Sequence, residues 1–89
     1  MRIHLIAIGG AVMHNLALAL AEAGHTVSGS DDEIFEPSLS RLAAKGLLPK
    51  QQGWFPERLH DGPEAVILGM HARQDNPELL EAQLLGLPV

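Results

Sequence analysis

Cysteine and tyrosine are absent from this 89-residue chain, and its aromatic side chains are Trp54, Phe35 and Phe55 alone. Without cysteine there is neither a disulfide framework nor a thiolate metal site. A reducing compartment fits that composition, and the cytoplasm is the expected location. Three aromatics give no base-stacking surface. Basic residues are also scarce: six Lys and Arg stand against eleven Asp and Glu, a formal charge of −5. Nucleic-acid and acidic-membrane partners, which ask for a basic face, are therefore not expected. No apolar run approaches the roughly 18 residues needed to cross a bilayer. The apolar start, Met1 to Ile8, is cut by Gly9-Gly10 and lacks the cleavage site of a signal peptide. His4, His14, His25, His60 and His71 show no zinc-ligand spacing and none stands beside an evident nucleophile. Neither a metal site nor a catalytic residue is expected.

What the chain does have is alternation. Arg2 to Ile8 is nearly continuously apolar, the mark of a strand buried on both faces. Ala11 to Ala23 follows a helical pattern, and Gly24 ends it. His25 to Ser30 reads as a second strand, and Pro37-Ser38 opens a second helix that Gly46 closes. Leu47 to Gly53 is either a weak strand or irregular, and Trp54 to His60 holds one turn. Ala65 to Leu68 is a further clear strand. Asn76 and Pro77 supply the cap and first residue of a helix reaching Leu85. Leu87-Pro88-Val89 reads as the entry to another strand, so the 89 residues are expected to be one domain of a longer protein.

Strands alternating with helices predict an α/β, Rossmann-like fold, with a parallel sheet of about four or five strands and helices on both faces. The core is expected to contain Leu16, Leu20, Leu39, Leu42, Leu79 and Leu80. His4 is expected to be packed in the core or at an edge.

In such a sheet ligands sit beyond the carboxyl ends of the strands. Ile8 to Met13, Ser30 to Asp32 and Gly69 to Ala72 all fall there. Glycine in the first turn lets backbone approach a ligand, and the following helix offers free N–H groups and a positive dipole end to a phosphate. Two glycines of the dinucleotide fingerprint are replaced, by Ala7 and Val12. Asp31, 22 residues after Gly9, stands where these folds place an acid for ribose hydroxyls. Asp32 and Glu33 read as a solvated loop. His14, early in the first helix, and His71, after the third strand, are placed to reach a ligand. An NAD(P)-binding domain of an oxidoreductase or redox regulator is the alternative reading, and a ligand-free flavodoxin-like module a third.

The stretch IHLIAIGGAVMHNLALAL resembles the start of the Mur ligases, which join amino acids or peptides to UDP-N-acetylmuramate. Their first strand leads through G-x-G-G-x-G-M into a helix, and Gly9, Gly10 and Met13 match. Their second strand ends in Gly-Ser-Asp, here Gly29-Ser30-Asp31, and a later loop carries Asn-Pro-Glu, here Asn76-Pro77-Glu78. The resemblance implies a UDP-sugar-binding domain spanning 1–89. It places the amides of Gly10, Ala11, Val12 and Met13 around the diphosphate, with Gly9 also among the binding residues, Ser30 and Asp31 near ribose or uracil, and His71 and Ala72 on the other wall. It also implies a parent enzyme in which ATP, with Mg2+, phosphorylates the muramoyl carboxylate before an amine attacks. ATPase and C-terminal domains would be partners in the same chain. No G-x-x-x-x-G-K-[ST] occurs here, so no cofactor is expected in these residues. One branch of the family adds L-alanine; another attaches a ready-made tripeptide, L-alanyl-γ-D-glutamyl-meso-diaminopimelate. Val12 in place of the third glycine, and the aromatic before Pro37, resemble the tripeptide branch.

Overall fold

A computed structural model describes residues 1–60, 62–70 and 72–89. The elements run β1 (Arg2–Ile6), α1 (Ala11–Glu22), β2 (Thr26–Ser30), α2 (Ser38–Ala44), a 3-10 turn (Pro56–Leu59), β3 (Ala65–Leu68) and α3 (Pro77–Leu84). The sheet is parallel in the order β2-β1-β3, with Ile3 opposite Val27 on one side and Ala65 on the other.

Alternation along the central strand divides the molecule into two layers. Ile3 and Leu5 face α1 and α2 in a cluster with Ile8, Met13, Ala17, Ile34 and Leu42. Ile6 faces the other way, into Leu59, Val66, Leu79 and Ala82 from the turn, β3 and α3. The α/β fold with helices on both faces is therefore as expected.

The sheet has three strands among the described residues, where four or five were expected. Leu47 to Gly53 supplies none: Pro49 interrupts it, and its contribution is a single antiparallel bridge from Gly53 to Asp31. Pro88 accepts a bond from the Val66 N–H at 2.8 Å, so Leu87-Pro88-Val89 touches the β3 edge without forming a ladder. β1 also stops two residues short of the expected Ile8, because Ala7 leaves the extended region.

Helix ends follow their sequence signals. After α1 the Gly24 N–H bonds to Ala21 O at 3.1 Å and the His25 N–H to Leu20 O at 3.1 Å, with Gly24 at φ +97°. This paired closure is the one glycine makes without steric cost. At α3 the Asn76 side chain accepts from the Glu78 and Leu79 N–H groups, at 2.9 and 3.3 Å. Such a cap is worth about 1 kcal/mol. Of the expected core, Leu42 and Leu79 are buried and Leu20 and Leu39 pack at its margin. Leu16 is half-buried and Leu80 is exposed. Glu78, not Leu80, takes the inward position on α3, because it has a buried partner.

Candidate functional site

The β1–α1 turn is held by the end of β2. Ala7 and Ile8 both donate to Ser30 O, at 2.8 and 3.1 Å. Ala7 sits at φ +68°, a left-handed conformation that costs an L-residue about 1–2 kcal/mol. Gly9 then donates its N–H to Asp31 Oδ2 at 2.9 Å, while Asp31 Oδ1 accepts from the Asp32 N–H at 2.9 Å. A Cβ on Gly9 would lie 2.9 Å from that carboxylate oxygen and 2.8 Å from Ile34 Cγ1. Glycine is required there for close approach, and the same holds at Gly69, where a Cβ would meet Ala7 Cβ and Ile6 O at 2.9 Å. The ends of all three strands are thus drawn together.

Beyond them opens a cleft of about 920 Å³, within the usual range for small-molecule sites. One wall is the start of α1, with Gly10, Ala11, Val12 and Met13. The N-cap, Gly10, offers no side chain, so the first-turn amides are free of intrahelical partners. The opposite wall is Gly69, Met70 and Ala72, continuing to Asn76-Pro77, with Trp54 and Asp31 also lining the cavity. Arg73 is the basic lining residue among those described; its guanidinium pairs with Asp75 at 2.9 and 3.3 Å and is well exposed.

Burial pushes the Asp31 carboxyl above the ordinary aspartate range; the bond from Gly9 pulls against it, and neighbouring Asp32 adds to the rise. Among the described residues there is no cluster of three potential metal ligands, and no helix is long and apolar enough to cross a membrane.

Of the residues expected at the site, Gly10, Ala11, Val12, Met13, Asp31 and Ala72 line this cleft together. Gly9 stands behind them with its N–H on Asp31. Ser30 is fully buried beneath the cleft, accepting from Arg58 Nη1 at 2.7 Å. His71 lies outside the described residues. His14 turns away instead of reaching the cleft: it is buried between α1 and α2, 3.0 Å from Ser38 Oγ and 3.2 Å from Arg41 Nη1. Val12 is 74% exposed. The third fingerprint glycine serves helix–strand packing, and here that position faces the cleft, which is how a bulky residue is accommodated.

Sequence reasoning missed Arg73 and one buried network. His4 Nε2 lies 2.7 Å from Glu78 Oε1, both side chains are fully buried, and Glu78 Oε2 accepts from the Phe55 N–H at 2.8 Å. Ser28 Oγ is 2.9 Å from His4 Nδ1. Burial by itself raises a carboxyl's pKa, but the bonds with His4, Ser30 and the Phe55 amide outweigh it and hold Glu78 below the ordinary glutamate value. The signal was available: a histidine in the middle of a doubly covered strand must have a polar partner. This network anchors α3, and with it the Asn76-Pro77 wall of the cleft.

Comparison with known proteins agrees with this geometry. The model of the Mur ligase family, catalytic domain, matches residues 2–89. The UDP-N-acetylmuramate–L-alanine ligase of Carboxydothermus hydrogenoformans is 42% identical over 88 residues, which are 98% of this chain and 18% of that protein. The crystal structure of a murein peptide ligase from Psychrobacter arcticus 273-4 superposes with a TM-score of 0.87 at 31% identity, covering 99% of this chain and 18% of that one. The UDP-N-acetylmuramate–alanine ligase of Thermotoga maritima gives 0.80 at 31% identity, over 99% of this chain and 20% of that one. The chain spans about a fifth of the length of these relatives. With the family model matching residues 2–89, these relatives at 31–42% identity and the strand-end cleft in place, this chain belongs to the Mur ligase family.

Proposed function

We propose that residues 1–89 bind the UDP end of UDP-N-acetylmuramate for an ATP-dependent ligase of peptidoglycan synthesis or recycling. The observation carrying this reading is the convergence of the uncapped start of α1, the Asp31 clamp and the wall of Gly69, Met70 and Ala72 on one cleft. A diphosphate is matched to the amides of Ala11, Val12 and Met13, where helix dipole and unpaired donors coincide. Arg73, swung from Asp75, adds the positive charge that a −5 chain otherwise lacks at this cleft. Asp31 fixes the turn and lines the ribose end; Ala72 lines the facing wall, with His71 assigned beside it from the sequence. Gly9 and buried Ser30 act through the turn, not by lining the cleft.

The remaining chemistry, ATP-driven activation of the muramoyl carboxylate and attack by an amine, is assigned to further domains of the parent chain, with ATP and Mg2+ bound there. The higher TM-score against the murein peptide ligase, together with Val12, favours a tripeptide as the amine; the 42% identity to an L-alanine ligase favours alanine. We assign the tripeptide on the closer superposition and on Val12, which resembles the tripeptide branch at the third-glycine position. Calorimetric titration of the chain with UDP-N-acetylmuramate, UDP and NADH tests the reading. Binding in the order UDP-N-acetylmuramate, then UDP, with NADH weakest, is expected; tighter binding of NADH overturns it in favour of an oxidoreductase-type domain.

A further inference from the structure

The second face of the sheet is only half covered. The 3-10 turn and α3 pack over β1 and β3, whereas over β1 and β2 there is an open cavity of about 590 Å³. Its floor is formed by Arg2 and His4 of β1 and by their register partners Thr26 and Ser28 of β2. Where a helix covers a parallel sheet, the strands beneath it are apolar. This floor is threonine, serine, histidine and arginine, so it is not built to receive an apolar helix.

Among the described residues its lining charge is basic. Arg2, Lys50 and Arg58 all line the cavity, half of the chain's six basic residues, while no Asp or Glu lines it among the described residues. Among the described residues the nearby carboxylates are Glu64, 3.8 Å from Arg2 with both side chains largely exposed, and Glu78, buried behind His4 at 2.7 Å. Arg58 is held in place: Nη1 donates to Ser30 Oγ at 2.7 Å, Nη2 to Gln51 O at 3.2 Å, and the guanidinium lies 4.5 Å over the Phe55 ring. A guanidinium fixed in this way loses little freedom on binding, and its fork matches phosphate oxygens. Among the described residues the cavity shares no lining residue with the cleft at the strand ends.

We propose that this cavity is a second binding site, taking a small molecule that carries a multiply charged phosphate group. Its volume suits a metabolite-sized ligand, larger than a lone phosphate. The test is titration of the isotope-labelled chain with inorganic pyrophosphate at low ionic strength, followed by amide and arginine side-chain NMR. Saturable shifts are expected at Thr26 to Gly29, Lys50 and Arg58. They should weaken about threefold in Lys50→Gln and again in Arg2→Gln/Lys50→Gln, as for partly screened charges. Both substituted residues are exposed, and an otherwise unchanged amide spectrum verifies the fold. Saturation confined to Ala11 to Met13, unsaturable drift equal to that with chloride, or an unaltered affinity in the double variant each overturns the proposal. Shifts at Ala11 to Met13 report the first cleft separately, so either site can fail without the other.

Discussion

The Gly9 amide and the Asp31 carboxylate meet at 2.9 Å, across 22 positions of chain. That bond fastens the β1–α1 turn to the end of β2, and both Asp31 oxygens are occupied by backbone donors, from Gly9 and Asp32. The acid after the second strand is therefore part of the turn's own scaffold as well as of the cleft lining.

Asp31→Ala leaves two N–H groups without their acceptor, and a buried donor so stranded costs about 1–3 kcal/mol. Asp31→Asn retains one carbonyl oxygen and should lose less. Urea unfolding of the three proteins checks the order; wild-type stability in Asp31→Ala would mean that the clamp carries none.

The two adjacent glycines are expected to behave differently. Gly9→Ala forces a methyl to within 2.9 Å of Asp31 and 2.8 Å of Ile34, and overpacking of this kind costs about 1–3 kcal/mol. At Gly10 the nearest atoms to an added Cβ are at 3.7 Å, ordinary contact, and the φ of −62° suits alanine. Gly10→Ala should cost less than about 1 kcal/mol. Thermal melts of the pair settle the contrast.

Ala7→Gly should stabilise the fold. Ala7 is at φ +68°, and glycine removes a left-handed penalty of about 1–2 kcal/mol while adding unfolded-state entropy of about 0.4–1 kcal/mol. The net gain is up to about 1.5 kcal/mol, and each kcal/mol gained raises Tm by roughly 4–8 °C in a domain of this size. A lowered Tm would show that the turn is not strained.

The strand–helix alternation, the turn and the Asn76 cap were legible because each is a local signal. Periods of two and 3.6, glycine after helices, and Asn-Pro before one need no tertiary knowledge. The misreadings came from choices that tertiary partners make. Leu79 and Leu80 look alike in sequence, yet one is buried and the other half exposed, because α3 rotates to bury Glu78 against His4. Leu47 to Gly53 reads in sequence as either a weak strand or irregular backbone, and Pro49 with a single bridge at Gly53 leaves it irregular, which is one reason the sheet has fewer strands than expected. His14 stood at the right position along α1 but on the side facing α2, where Ser38 and Arg41 engage it. Arg73 carried no motif; its place in the cleft follows from how the loop after β3 folds back.

Two carboxyls should shape acid stability in opposite senses. Glu78 is held below its ordinary value, about 4.3. Its contribution is complete above that value and is lost as pH falls through the lowered one. Asp31 is raised above its ordinary value, about 3.9, so its contribution is present below that and is lost as pH rises through the raised value. Glu78→Gln should therefore flatten the loss of stability on acidification, and Asp31→Asn should steepen the net gain as pH increases from about 4. Urea titrations between about pH 3 and pH 7 measure both slopes; identical pH profiles for wild type and Glu78→Gln would remove the buried pair from this account.

The central claim is that a diphosphate docks on the first turn of α1, and amide shifts on adding UDP-N-acetylmuramate test it most directly. The account predicts the largest saturable shifts at Ala11, Val12 and Met13, with smaller ones at Asp31 and Ala72, all abolished or much weakened in Gly9→Ala. Saturable shifts that leave Ala11 to Met13 unmoved would contradict it.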